Sequence, residues 1–254
     1  MKELIEENIK NFIKEYGKNE NVETQWGEPL VAYAYAQDQL FDQLKELVSS
    51  THALPGELVS GAKTVITYFI PFEKQVTLSN GGSQVSREWA LAYVETNMLI
   101  IKLNEYMHAF LNSQGFNSAI LPPTHNFNTE NLLSDWSHKH VAYISGLGKF
   151  GLHQMLITEK GTCGRLGSIV TDLQIEPTSR DDKEYCLYKY NNTCKRCVEK
   201  CITGALQELS FDRHKCYDYL LEVADQYVQI GLADVCGKCV HNVPCSFIRP
   251  VKDK

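Results

Sequence analysis

Apolar residues recur near helical spacing among charges over residues 2 to 16, and again over Gln37 to Val48, so both stretches predict amphipathic helices. Ala62 to Phe72 (AKTVITYFIPF) is rich in β-branched and aromatic residues and is interrupted near its end by a proline; it predicts a buried strand. Ser79 to Ser86 is polar and contains glycine, as a loop does. From Trp89 to Leu111 apolar residues return at three and four spacing through a long helix, with Gly115 as its terminator. Short apolar runs at Ser118 to Leu121, Met155 to Thr158 and Ser168 to Leu173 predict strands separated by glycine-rich and polar turns. Helices alternating with strands indicate an α/β or α+β core. No internal repeat or low-complexity tract interrupts residues 1 to 180, and the charged stretch Glu176 to Glu184, with Pro177, is the best linker.

The 254 residues exceed what a two-cluster ferredoxin module needs and leave room for a second, larger domain. The boundary is placed at 180, giving domains 1–180 and 181–254. A hydrophobic fraction of 43% is ordinary for a globular chain, and no apolar run reaches the roughly 18 residues of a membrane span. The N-terminus lacks the apolar core and small-residue cleavage site of a signal peptide, so secretion is not expected. A formal charge of −6 gives no electrostatic reason to expect nucleic acid or an anionic membrane.

The cysteines change the picture most. Eight of the nine lie between 186 and 245, and in a reducing cytoplasm such crowding at short spacing favours metal over disulfides. Cys186, Cys194, Cys197 and Cys201 read C-x7-C-x2-C-x3-C; Cys216 stands alone; Cys236, Cys239 and Cys245 read C-x2-C-x5-C. A C-x2-C pair lets neighbouring thiolates reach two irons of one cubane, and soft thiolates suit iron–sulfur clusters. In bacterial two-cluster ferredoxins the fourth cysteine of such a run ligates the other cluster. That crossover assigns Cys186, Cys194, Cys197 and Cys245 to one 4Fe-4S cluster and Cys201, Cys216, Cys236 and Cys239 to a second. Eight cysteines also make two tetrahedral zinc sites, but the x2–x3 run followed by ITGAL favours iron–sulfur. Ile202 replaces the usual proline after that run, and the x7 spacing before Cys194 is longer than usual. Cys163, isolated in GTCGRLG, reads as a small buried residue.

Two further stretches carry candidate chemistry. Gly146, Gly148 and Gly151 match G-x-G-x-x-G, with Asp172 about 20 residues on as in a dinucleotide fingerprint. The LHQMLIT that follows reads as a strand, whereas a phosphate-binding loop must open a helix. Upstream, SDWSHKHVAYISG gathers Asp135, Trp136, Ser137, His138, Lys139 and His140. One reading is a helix capped by Ser134 or Asp135 with its histidines solvated; the other is a pocket wall in which Asp135, His138 and His140 are proton donors.

From about Leu54 to Cys245 the chain resembles the epoxyqueuosine reductase group, related to the reductive dehalogenases. The resemblance rests on LPGELVSGAKTVITYFIPF, HVAYISGLGKFGLHQMLITEKGTCGRLGSIVTDL, the first cysteine run, FDRHKCYDYL and CGKCVHNVPC, in that order. It implies a nitroreductase-like α+β cobalamin-binding core, holding the corrinoid against a C-terminal ferredoxin-like domain with two 4Fe-4S clusters. It implies that the glycine stretch approaches the corrinoid, since glycines admit close backbone approach to a flat ligand. Trp136, Ser137, Gly146, Leu147, Gly148, Lys149, Phe150, Gly151, His153, Arg165 and Ser168 are then the cobalamin contacts, with His153 in reach of the cobalt. In the family an aspartate in the region of Asp135 serves as proton donor; Asp135 stands about three residues out of register, and His138 and Lys139 fall where a Glu-Arg pair would be.

The activity implied is reduction of a small substrate by cobalamin, with electrons from a low-potential donor entering through the clusters. An alternative of another class is a corrinoid carrier, or a protein that reduces cobalamin for a partner, with no organic substrate of its own. The roughly 180 residues before the cysteine run argue against a plain two-cluster carrier. The acidic balance, and a chain ending nine residues after Cys245 where many relatives continue into helical repeats, argue against tRNA as a partner.

Overall fold

The computed structural model describes residues 1–19 and 21–252. Ile5, Ile9 and Ile13 recur every fourth residue along α1 (Lys2–Asn19) and form one buried stripe. β1 (Leu30–Tyr35) leads to α2 (Gln39–Leu47), whose start is capped by the Asp38 carboxylate accepting from the Leu40 amide, and then to the single-turn α3 (Pro55–Leu58). β2 (Thr64–Pro71) is buried at every position, as its β-branched and aromatic content predicts. After α4 (Lys74–Ser79) comes α5 (Arg87–Ser113), capped by Ser86 and ended beside Gly115, whose φ of +84 suits only glycine comfortably. Short strands β3 (Ser118–Ala119), β4 (Phe127–Asn128) and β5 (Leu133–Ser134) precede α6 (His138–Ile144). The hairpin β6 (Gly148–Phe150) and β7 (Leu156–Thr158) then leads into β8 (Gly164–Thr171). Beyond the irregular linker lie α7 (Leu187–Asn191), α8 (Arg196–Glu199) and α9 (Arg213–Gln226), the last capped by Asp212.

The main sheet has the order β1-β2-β8-β3 and every pair is antiparallel, with Thr67 opposite Ser168 and Phe69 opposite Leu166. Helices cover both faces. Ile66, Tyr68 and Ile70 pack with Ile9, Leu99, Leu103 and Met107 of α1 and α5, while Val65 on the opposite face packs with Phe41, Leu44, Val141 and Ile144. That is the period of two that a doubly covered strand requires. The mixed helix–sheet expectation holds, and because every hydrogen-bonded strand pair of the main sheet is antiparallel the core is α+β.

Residues beyond 180 share a core with the rest. Val223, Tyr227, Ala233 and Val240 are buried with Phe72, Val85 and Trp89. The Tyr227 hydroxyl donates to the Val85 carbonyl at 2.7 Å, and the buried Lys238 ammonium donates to the carbonyls of Asn80, Gly82 and Gln84. No helix of the described residues is long and apolar enough to cross a membrane.

Candidate active site

Where the C-terminal segment meets α5, α6 and β8 there is a cavity of about 470 Å³. Cys201, Cys216, Cys236 and Cys239 lie in its wall, the four residues of one predicted set. The other four, Cys186, Cys194, Cys197 and Cys245, line a smaller adjoining cavity with Pro244 and Pro250. Burial, with Cys186 as the next cause, pushes the Cys197 thiol up to about 11; burial and then Cys236 do the same for Cys216. Thiols so placed become stable thiolates when a bound cation supplies compensating charge. Among the described residues no three His, Cys, Asp or Glu side chains converge closely enough for one metal ion. Cys163 belongs to neither set: it is buried and its thiol donates to the Val240 carbonyl at 3.3 Å.

The larger cavity is mainly apolar, with a few polar groups. The Arg165 guanidinium, on β8, sits 4.3 Å above the Tyr93 ring and donates to Asn97 Oδ1 at 2.7 Å. Three buried polar atoms of its wall have no hydrogen-bond partner within the protein: Trp89 Nε1, Thr162 Oγ1 and Arg165 Nε. Two of these are obligatory donors, so a ligand rich in acceptors would satisfy them. A corrinoid, whose rim carries amide carbonyls, fits that donor set. Lys139 also faces the cavity, its ammonium donating to the Gln154 carbonyl at 3.2 Å; burial first, then Arg213, lowers its pKa, against the opposing pull of Cys216 and Cys239. The Tyr93 hydroxyl donates to Asp234 Oδ1 at 2.7 Å, and the other carboxylate oxygen meets His125 Nε2 at 3.0 Å. Burial raises the Tyr93 pKa most, with Arg165 opposing and Asp234 adding to the rise.

Of the residues expected from sequence to contact the corrinoid, His153 and Arg165 line the cavity, and the others lie apart from it. Trp136 is buried between Phe41 and His52, its indole donating to Ser168 Oγ at 2.9 Å. Ser137 Oγ meets His140 Nδ1, and Leu147 is in the core beneath β1 and β2. At Gly148 the place of a Cβ is filled by the Ile157 carbonyl oxygen, 2.2 Å away, so this glycine serves the β6–β7 pairing. Gly146, at φ +78, turns the chain against Ser179 and Arg180. Gly151 makes room for the His153 ring, Lys149 lies over the Tyr143 ring, and Phe150 packs on His140. No helix follows the glycines, which removes the dinucleotide-loop reading.

The three proton-donor candidates also lie away from the cavity. Asp135 is exposed and its carboxylate accepts from the Thr51 hydroxyl. His138 Nε2 meets the Pro122 carbonyl at 2.8 Å and Nδ1 meets Ser168 Oγ at 2.9 Å, so both nitrogens are engaged. Burial holds His138 and His140 down to about 4, and both rings are neutral. The helix there starts one turn later than expected, after Ser137, and its histidines are not solvated: Ser137 Oγ binds His140 instead of capping. Tyr93, Trp89, Thr162 and Asp234 are among the polar wall residues that sequence reading missed. Tyr93 and Trp89 lie on the apolar stripe of a long helix, whereas Thr162 lies within GTCGRLG and Asp234 stands two residues before Cys236, both near recognisable motifs.

The fold of the chain is shared by solved epoxyqueuosine reductases and reductive dehalogenases. A reductive dehalogenase whose structure suggests a mechanism for B12-dependent dehalogenation superimposes with a TM-score of 0.55 at 17% identity, covering 85% of this chain and 30% of that one. An epoxyqueuosine reductase solved with a tRNA-Tyr epoxyqueuosine-modified stem loop gives 0.55 at 17% identity, covering 95% of this chain and 66% of that one. In sequence the chain is 28% identical over 173 residues to the epoxyqueuosine reductase of Cyclobacterium marinum, 65% of this chain and 50% of the relative. The resemblance drawn from the motifs therefore holds in sequence and in fold. No family model matches. The chain spans about half the length of the curated relative it matches. The expectation that tRNA is not a partner is overturned, because the sequence relative is an epoxyqueuosine reductase and the same fold occurs in one solved with a tRNA stem loop. Net charge failed as a guide because it is a sum over the chain, while phosphates read the local distribution.

Proposed function

We propose that the chain is a cobalamin-dependent iron–sulfur reductase. In this reading Cys186, Cys194, Cys197 and Cys245 hold one 4Fe-4S cluster, and Cys201, Cys216, Cys236 and Cys239 hold a second in the wall of the larger cavity, where the corrinoid binds. The observation that carries it is the cavity itself, which joins one complete cysteine set to three buried polar atoms lacking partners. When bound, cobalamin supplies a reduced cobalt, a strong nucleophile and reductant. The protein's part is to orient it, exclude water and deliver electrons and protons. Arg165 and Trp89 offer donors to the ligand's rim. His125, with 36% of its side chain exposed, Asp234 and Tyr93 form a hydrogen-bonded chain from solvent to the cavity wall. Along it a proton released at Tyr93 can be replaced from outside. Electrons come one at a time from a low-potential donor. The group reduced is a small one presented at the cavity mouth, on a free molecule or on a modified nucleoside of a tRNA stem loop.

The placement of Asp135, His138 and His140 outside the cavity favours a second reading, a corrinoid carrier or corrinoid-reducing protein with no organic substrate. One preparation separates the two. Anaerobically purified protein should contain about eight irons and eight sulfides and bind cobalamin. Cys194→Ala and Cys216→Ala should each remove a different cluster signal. Turnover of an added small substrate or of epoxyqueuosine-modified stem loop by the reduced protein supports the enzyme, and tight cobalamin binding without turnover supports the carrier. Two zincs and no sulfide would refute both.

A further inference from the structure

His153 stands in the partition between the two cysteine cavities and lines both. The ring is 5% exposed and its two nitrogens have different partners. The Met155 amide donates to Nδ1 at 3.1 Å, so Nδ1 accepts and the proton of the neutral imidazole resides on Nε2. Nε2 lies 3.3 Å from Cys245 Sγ, so the ring presents an N–H to that sulfur. The turn joining β6 to β7 is shaped around this contact. Its ends are tied by the Gly151 amide donating to the Met155 carbonyl at 2.9 Å, and Gln154 takes a φ of +61 to close it. Gly151 lacks the Cβ that would lie 2.6 Å from the imidazole, so the ring folds back over the backbone.

We infer that His153 is a positioning residue for electron transfer, which through its Nε2–H···Sγ bond to Cys245 raises the reduction potential of the first cluster. The inference rests on the proposed reading, in which Cys245 is a cluster ligand. An electron added to a cubane spreads onto its thiolate sulfurs. A donor directed at one of them stabilises the reduced form, and hydrogen bonds to the sulfurs are among the determinants of cluster potential. The contact is buried, so the low local dielectric strengthens it. In the second set Cys201 Sγ accepts from the Leu206 backbone amide at 3.3 Å and lies 3.5 Å from the Thr203 hydroxyl, and among the described residues no imidazole takes part. His153, touching both cavities, marks the partition across which the clusters exchange electrons.

The test is a redox titration of the anaerobic, cluster-loaded protein followed by electron paramagnetic resonance. The first cluster is identified as the signal lost in Cys194→Ala. His153→Phe fills the site without a donor, and His153→Gln retains an N–H. At a fixed ambient potential, His153→Phe should lower the reduced-to-oxidised ratio of the first cluster about tenfold, about 59 mV for a one-electron couple. The second cluster should change less than about twofold, and His153→Gln should recover part of the loss. An unchanged first-cluster potential in His153→Phe, with iron and sulfide at wild-type content, would overturn the inference and leave the cluster assignment standing. If His153→Phe fails to load iron, the glutamine variant decides: its first-cluster potential should lie below wild type, and one equal to or above it overturns the inference. Wild-type protein without about eight irons and sulfides fails the proposed function instead.

Discussion

Ser168 organises the loop that the sequence offered as a pocket wall. Its hydroxyl accepts from the Trp136 indole and lies 2.9 Å from His138 Nδ1, while His138 Nε2 meets the Pro122 carbonyl. With Nε2–H given to a carbonyl, Nδ1 must accept, so Ser168 is both acceptor and donor. Trp136, His138 and Ser168 therefore use their polar atoms on one another. Arg165, three residues along the same strand, is different because it lines the cavity and its buried Nε has no partner within the protein. Arg165→Met should keep the aliphatic packing, remove the charged donor and weaken cobalamin binding about tenfold to hundredfold. Equilibrium titration monitored by corrinoid absorption reads this directly, with iron content unchanged as the control. The same affinity in the variant would place the ligand away from β8.

At the scale of elements, the glycine stretch illustrates one motif with two jobs. Gly148 sits in the β6–β7 pair with the Ile157 carbonyl where its Cβ would be, and Gly151 clears space for a ring. Gly148→Val should therefore act on folding, with a loss of at least about 1–3 kcal/mol from overpacking against backbone. Denaturant unfolding measures it. A variant of full stability with lost cobalamin affinity would restore the ligand-contact role. The helices and strands themselves follow local pattern closely: α1, α2, α5 and β2 lie within a few residues of where periodicity put them. α9 was not read, although Asp212 caps it, because its exposed face and the isolated Cys216 obscure the apolar stripe; Val223 is its one fully buried apolar residue.

For the whole molecule, His138 and His140 connect packing to pH. Each is held at about 4 in the fold, with burial the largest cause in both, and would titrate near 6.5 unfolded. Between these values the unfolded chain binds the extra protons. Their contribution to stability is complete above pH 6.5 and is lost progressively as pH falls toward 4. Each histidine can steepen the dependence by up to about 1.4 kcal/mol per pH unit. Urea unfolding at pH 7 and pH 5.5 should show a marked fall in stability, and the fall should be smaller in the His138→Gln, His140→Gln double variant. An identical slope in that variant would show that other groups carry the acid sensitivity.

Residue order determined α1, α2, α5 and β2, because periodicity and turn residues are local properties, and it showed eight cysteines close enough in sequence to act together. The division into two sets of four came from the ferredoxin crossover, and the two cavities are lined by those same two groups of cysteines. What lay beyond the sequence was the identity of the cavity wall. Tyr93, Trp89, Thr162 and Asp234 come from α5, the turn before β8 and the segment ahead of Cys236, and they join Arg165, which the resemblance had already named, only because α5 packs along β8 and the C-terminal segment closes over both. Polar side chains adjacent in sequence were instead drawn into separate hydrogen bonds: Asp135 with Thr51, His138 with Pro122 and Ser168, and His140 with Ser137. Tertiary packing decides which donors are satisfied and which are left facing a ligand.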